Sequence, residues 1–312
     1  MRYLGYHTRR FLSLIIAVVI AGLALGLLVT LILGSNACSR SGFVPQGVDA
    51  ENGEESRAYL AFPEWYASSL SREYANFTRA HKPSEFPFFT TIGQYWCSYE
   101  ALARLARRAE YPVLWGAHLR LLILGASVTL TYEVSYFYES ILGRLAEWSP
   151  APVRRVERQI VSTAQWMTRA IPGVFVGKKG SVLSAAPLSL IATSISEKSL
   201  ALIPEATIAE RLPDGSFRLT LAPGDPTLIL ALLAARGAEF TSIEGRANIA
   251  LSVVVPAEWE QYFPEASEIL SLPTLTDRAK RRVLFSAAAR DLAVTLTNFS
   301  AQGIAVEHIY AY

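Results

Sequence analysis

The sequence predicts a membrane-anchored α+β protein. Its N-terminal half is helical with one or two transmembrane helices, and its C-terminal domain is ferredoxin-like, in the order β-α-β-β-α-β. Three observations predict this: an uncharged apolar run from Phe11 to Gly34, a dense aromatic region between Tyr59 and Tyr99, and strand and helix signals that alternate over 200–312. Composition agrees. Of 312 residues 51% are hydrophobic and only 18% charged, with a mean hydropathy of +0.26. That excludes a disordered chain, and two cysteines exclude a disulfide framework. The net charge of +2 divides unevenly, with 20 Lys+Arg against 14 Asp+Glu over 1–199 and 9 against 13 over 200–312. Neither part is basic enough to be a nucleic-acid footprint.

Residues 1–10 are expected in the cytoplasm. Phe11–Gly34 has 24 residues without a charge. At about 1.5 Å per residue it spans the roughly 30 Å hydrocarbon core. Arg2, Arg9 and Arg10 precede it and Asp49, Glu51, Glu54 and Glu55 follow, which places the N-terminus inside. The run is longer than a signal-peptide core. Cys38 also lacks the preceding aliphatic residue of a lipoprotein signal, so an uncleaved anchor is expected. Gly22 and Gly26 form a G-x-x-x-G that would let a second helix approach closely, although glycine is frequent in membrane helices generally.

Residues 35–58 read as a polar linker. Residues 59–111 read as an extracytoplasmic helical segment, with 12 of the chain's 34 aromatics between Tyr59 and Tyr99. Pro63 and Glu64 suggest a helix start, and Pro83 its end. A second helix is expected from about Ser84 to Arg108, its apolar face carrying Phe89, Ile92, Trp96, Tyr99, Ala103 and Ala106. Pro112–Gly143 is read as a second span, giving a two-span protein with the C-terminal domain in the cytoplasm. The competing reading is a buried helix in a single-pass protein, since the stretch carries His118, Arg120, Glu133 and Glu139. If it spans, Gly125 and Thr129 would pack against the N-terminal helix. His118, Arg120 and Glu133 would then be the candidate functional side chains.

Over 144–199 a basic amphipathic helix (residues 152–170) and a connector are expected, the helix lying on anionic headgroups or on the globular domain. The C-terminal domain is predicted over 200–312. Its elements are a strand at 216–221, a helix after Asp225-Pro226 ending at Gly237, and strands at 239–244 and 247–255 around Gly245-Arg246. An irregular stretch follows, then a helix from Thr276-Asp277 to Gln302-Gly303, and a strand at 304–312.

The chemical search is negative. His7, His81, His118 and His308 have no metal-ligand spacing, and G-x-S-x-G, G-x-G-x-x-G and C-x-x-C do not occur. No cofactor or metal is therefore expected. Glu64, Glu85 and Glu100 read as capping or solvent-facing charges. Cys38 and Cys97 fall on the same, outer side and could pair there.

Phe62–Tyr66 (FPEWY), Arg72–Phe77 (REYANF), Pro83–Phe89 (PSEFPFF) and Ile92–Trp96 (IGQYW, with Tyr95–Trp96) resemble a family of uncharacterised bacterial membrane proteins. The resemblance covers about residues 55–148 and is weaker around Leu232–Gly245. It implies a bacterial inner-membrane location and adds no catalytic residue. The expected function is a non-enzymatic scaffold, sensor or accessory subunit. Its partners would be the bilayer and a membrane protein or a second copy, without nucleic acid. The alternative is a membrane enzyme or cofactor-binding protein that uses His118, Arg120 and Glu133 on an apolar substrate.

Overall fold

The first two described elements are helices. α1 (Glu55–Ala80) and α2 (Phe88–Arg107) carry the aromatic-rich sequence. The structure, a computed structural model, describes residues 55–81, 85–107, 118, 121–122, 124–125, 187–223, 225–260 and 263–310. Phe11–Gly34 with Gly22 and Gly26, Cys38, Arg120, Thr129, Glu133 and the basic stretch 152–170 lie outside the described residues. No helix among the described residues is long and apolar enough to cross a membrane.

Pro63 does not start α1 but sits inside it. The helix tolerates the missing amide donor because the residues flanking the proline are anchored. Tyr59, Leu60, Ala61, Phe62, Trp65 and Tyr66 are all buried. α2 is buried almost all round between Thr91 and Tyr99, so its aromatic positions are core, as expected. Glu64, expected at the surface, is buried.

After residue 187 come β1 (Leu188–Thr193), the short α3 (Glu197–Leu200), β2 (Ala206–Arg211), β3 (Phe217–Leu221), α4 (Pro226–Ala235) and β4 (Glu239–Ile243). They are followed by β5 (Asn248–Pro256), β6 (Ala266–Pro273), β7 (Lys280–Ala288), a 3-10 turn at Ala289–Asp291, α5 (Leu292–Ala301) and β8 (Ala305–Tyr310). The chain is thus α+β, with two antiparallel four-stranded sheets ordered β2-β3-β1-β4 and β6-β7-β5-β8.

One sheet was expected over 200–312; two form, and the first begins at Leu188 inside the supposed connector. The helix expected from Thr276 is replaced at its start by strand β7. Asp277 does not cap a helix. Its Oδ1 accepts from the Ala279 amide at 3.1 Å, closing a turn between β6 and β7. Consecutive Val283, Leu284 and Phe285 suit a strand buried on both faces. The stretch read as irregular contains β6.

The two sheets are the same unit built twice. In the first, Leu190 of β1 pairs with Leu219 and Ile243; in the second, Leu251 of β5 pairs with Phe285 and Ile309. Even the bulges recur. The first-to-last strand ladder skips Thr241 in one sheet and Glu307 in the other, and the second-to-third skips Ala209 and Ile269. From β3 to β4 the sequence maps onto β7 to β8 at a constant offset of 66. Ala222, Asp225, Leu230, Ala235, Gly237 and Ile243 match Ala288, Asp291, Leu296, Ala301, Gly303 and Ile309. The second unit differs in having a loop where the first has α3.

Both units share one inner core. Leu190, Leu219 and Phe240 join Leu251, Val253, Phe285 and the α4 and α5 side chains Leu230, Leu233, Leu296 and Phe299 in one cluster. The units also interlock: α4 abuts β8, and the 3-10 turn ahead of α5 abuts β4. The opposite face of the second sheet, with Ala250, Leu270, Leu272, Leu284 and Tyr310, packs under α1 and α2 against Phe62, Tyr66, Leu70 and Tyr95.

Candidate functional site

The densest polar constellation among the described residues lies where α1 covers the second sheet. Strand alternation on β7 sends Val283 and Phe285 into the shared inner core and Arg282 to the opposite face, toward α1. Arg282 is only 3% exposed. Burying a guanidinium is costly unless its donors are engaged by carboxylates. Two supply this. Glu307, the extra residue of the β8 bulge, reaches across β5 and accepts from Arg282 Nε at 2.6 Å and Nη2 at 2.8 Å. Glu73 of α1 accepts from the same Nη2 at 2.5 Å. The guanidinium also lies against the Trp65 and Tyr66 rings, at 5.5 and 5.2 Å from their centroids. Burial works against the charge on Arg282, yet the Glu307 and Glu73 carboxylates overcome it and hold the guanidinium firmly protonated. Burial likewise pushes the Tyr66 hydroxyl well above its ordinary range. That hydroxyl donates to Gln94 Oε1 at 2.6 Å, and Gln94 Nε2 donates to the Pro273 carbonyl at 2.8 Å, joining α1, α2 and β6.

A second half of the cluster lies at the β8 edge. His308 stacks on Trp65 with centroids 5.3 Å apart and meets Tyr310 edge-on at 4.8 Å. Its Nδ1 is 3.3 Å from Asp225 Oδ2. Asp225 is the N-cap of α4 and accepts from the Thr227 amide at 3.0 Å, while the Thr227 hydroxyl accepts from the Ile309 amide at 2.9 Å. Burial opposes the charged form of Asp225, but the hydrogen bonds from His308 and Thr227 outweigh it and hold the carboxyl down at about 2. Ser252 stands opposite His308 in the β5–β8 register, so acid, imidazole and hydroxyl follow one another. The hydroxyl is nonetheless fully buried and hydrogen-bonded to Tyr310 Oη at 3.2 Å. It is not presented to a substrate. What this arrangement does chemically is hold α1 and α4 to the second sheet through charge and stacking.

The residues singled out from sequence are not brought together here. His118 is buried beside α2, its Nδ1 3.0 Å from the Tyr99 hydroxyl. Arg120 and Glu133 lie outside the described residues. Gly125 lies against α2: a Cβ there would be 2.5 Å from Tyr95 Cε1 and 2.9 Å from the Trp96 ring. Thr129, Gly22 and Gly26 lie outside the described residues. Cys97 is 2% exposed and disulfide-bonded. His81 is exposed and stacks on Phe77 at 4.4 Å. Among the described residues no three His, Cys, Asp or Glu side chains converge as a metal site would need. Sequence reasoning missed Arg282, Glu73 and Glu307 altogether. The signal available was a run of three cations, Lys280, Arg281 and Arg282, leading straight into the apolar Val283-Leu284-Phe285, which places one of them at the edge of the core once that segment is read as a strand.

Compared with protein-family models, curated proteins and solved structures, the chain finds no match.

Proposed function

We propose that this protein is a bacterial inner-membrane scaffold or accessory subunit. Its anchor is Phe11–Gly34, and it carries two interlocked ferredoxin-like units with a helical cover. The observation that carries the reading is the Arg282–Glu73–Glu307 cluster. Its ionised groups lie between α1 and the second sheet, where they join elements and do not face outward. A module of this kind supplies a rigid shape at the end of an anchor, and its activity lies in what its surface holds. The FPEWY-type segment at Phe62–Tyr66, similar to bacterial membrane proteins, supports the same location.

The competing class is a cofactor-dependent membrane enzyme built on His118, Arg120 and Glu133. The test is an absorption spectrum and metal analysis of full-length protein purified in mild detergent, followed by cross-linking in native membranes. A featureless visible spectrum, with a membrane protein or a second copy cross-linked to residues of the two units, supports the scaffold. A bound haem, flavin or stoichiometric metal overturns it.

A further inference from the structure

We infer that the outward face of α4 is a seam between two copies of this chain, paired antiparallel across a two-fold axis. The inference deepens the scaffold reading and rests on it, naming both the surface used and the partner. An internal comparison starts it. A helix in the outer layer of a fold ordinarily turns a polar stripe to solvent. α4, PTLILALLAA, carries no charged residue, and its one polar side chain, Thr227, is spent on the Ile309 amide. Leu228 is 69% exposed and Leu232 36%, with Ala231 and the exposed Ala235 completing the face at helical spacing.

α5 occupies the same place in the second unit, 66 residues on, and its face is built differently. Val294 and Ala301 match Leu228 and Ala235, but Thr297 and Asn298 stand where α4 has Ala231 and Leu232. The fold therefore does not require an unbroken apolar face here. An equivalent helix on an equivalent sheet breaks it with a hydroxyl and an amide. α4 keeps an apolar stripe that its own packing does not use, which is the mark of an interaction surface.

The ends of the stripe identify the partner. Asp225, Leu228, Leu232 and Arg236 follow one another at spacings of three, four and four, forming one row along the helix. The Asp225 side chain is half-exposed at the N-cap. Arg236 folds back along the last turn, where its Nη1 donates to the Leu232 carbonyl at 3.4 Å. The row reads acid, leucine, leucine, base, and it is complementary to its own reverse. A two-fold axis passing between the leucines sets Leu228 of one copy opposite Leu232 of the other. The same axis brings each Asp225 opposite the other copy's Arg236, without a change of register. Ala231 and Ala235 let the two helices approach closely, and their antiparallel dipoles attract. A bilayer is the poorer match. Residues 200–312 carry 9 Lys+Arg against 13 Asp+Glu, which anionic headgroups repel.

Two measurements on full-length protein test the seam. Light scattering in mild detergent, corrected for bound detergent, gives the protein mass. A photo-reactive benzophenone side chain placed at Leu228 reports the neighbour in native membranes. The expected mass is that of two 34.3 kDa chains. Leu228→Glu and Arg236→Glu should each reduce it to one chain, whereas Val294→Glu, at the equivalent and 49% exposed position of α5, should leave it at two. The photo-adduct should run at twice the chain mass and map to α4 of a second copy. A single-chain mass for the unaltered protein, a two-chain mass that survives both α4 variants, or an adduct to lipid or to another protein overturns the seam. Should a glutamate variant fail to fold, the photo-adduct alone decides. An adduct to another membrane protein defeats only this inference, whereas a haem, flavin or stoichiometric metal in the same sample defeats the scaffold reading beneath it.

Discussion

Arg282 shows how a single position decides whether a helix belongs to a sheet. Its counterpart in the first unit, 66 residues earlier, is Ser216, which binds locally to Asp214 Oδ1 at 2.6 Å. At the equivalent position of the second unit, inside β7, Arg282 is a cation that recruits Glu307 from the bulge and Glu73 from α1. Replacing Arg282 by Met leaves two carboxylates facing each other in a partly buried site and is expected to cost about 3 kcal/mol. Adding Glu73→Gln and Glu307→Gln should recover most of that loss, because the uncompensated charge is then gone. Urea unfolding of the full-length variants in detergent checks both, and equal destabilisation of the single and triple variants would defeat the argument.

Asp225 gives a pH dependence with a definite sign. Its folded carboxyl is held at about 2, below its unfolded value near 3.9. A depressed carboxyl contributes stability that is fully present above the unfolded value and is lost as pH falls through the folded one. The wild-type urea midpoint should therefore drop between about pH 4 and pH 2 by more than that of Asp225→Asn, which keeps a cap but no titrating charge. Parallel midpoint curves for the two proteins would show that the His308 and Thr227 contacts do not stabilise the ion. This residue was legible from sequence as a helix cap. Its bond to His308 was not, because 83 residues separate the partners and only the sheet brings them together.

At the scale of elements, glycines mark the close contacts. Gly125 faces Tyr95 and Trp96 so closely that Gly125→Ala forces the rings aside, which outweighs the better helix propensity of alanine. A net loss of about 1–2 kcal/mol is expected in thermal or urea unfolding, and a gain in stability would place the helix elsewhere. Gly237 and Gly303 end the equivalent helices α4 and α5 with φ of +86° and +70°. Alanine at either site is strained by about 1 kcal/mol, and the two variants should cost the same, since the repeat places both at one structural position. Helix ends of this kind are written locally in Asp-x-x and Gly signals, which is why α4 and the last strand were foreseen. The Thr276-Asp277 signal was equally clear and was used differently. Asp277 serves a turn, and neighbouring strands β5 and β6 draw Lys280–Ala288 into a sheet.

At the scale of the molecule, the duplicated units have no separate cores. Leu219 and Phe240 of one lie in the same cluster as Val253 and Phe285 of the other, and in each unit the helical segment before the last strand abuts the other unit's last strand. The two halves should unfold together. Fluorescence from Trp259, which stacks on Phe263 in the second unit, and the far-ultraviolet signal of all strands are expected to change at one urea concentration. This is best measured with the other tryptophans replaced. Two separated transitions would mean that the units are independent.

The sequence by itself determined an apolar anchor-length run, an aromatic helical region that packs, and a C-terminal part made of strands and capped helices. Those are properties of local composition and short-range periodicity, which a linear reading can weigh. The tertiary structure decided how many sheets those strands make, which half each helix serves, and which charges are buried together. Leu188–Thr193 becomes a central strand because β3 and β4 flank it, and Arg282 becomes a buried cation because Glu73 arrives from 209 residues away. Such pairings depend on long-range register and on the cost of burying an unpartnered group. Neither is written at the residue that pays it.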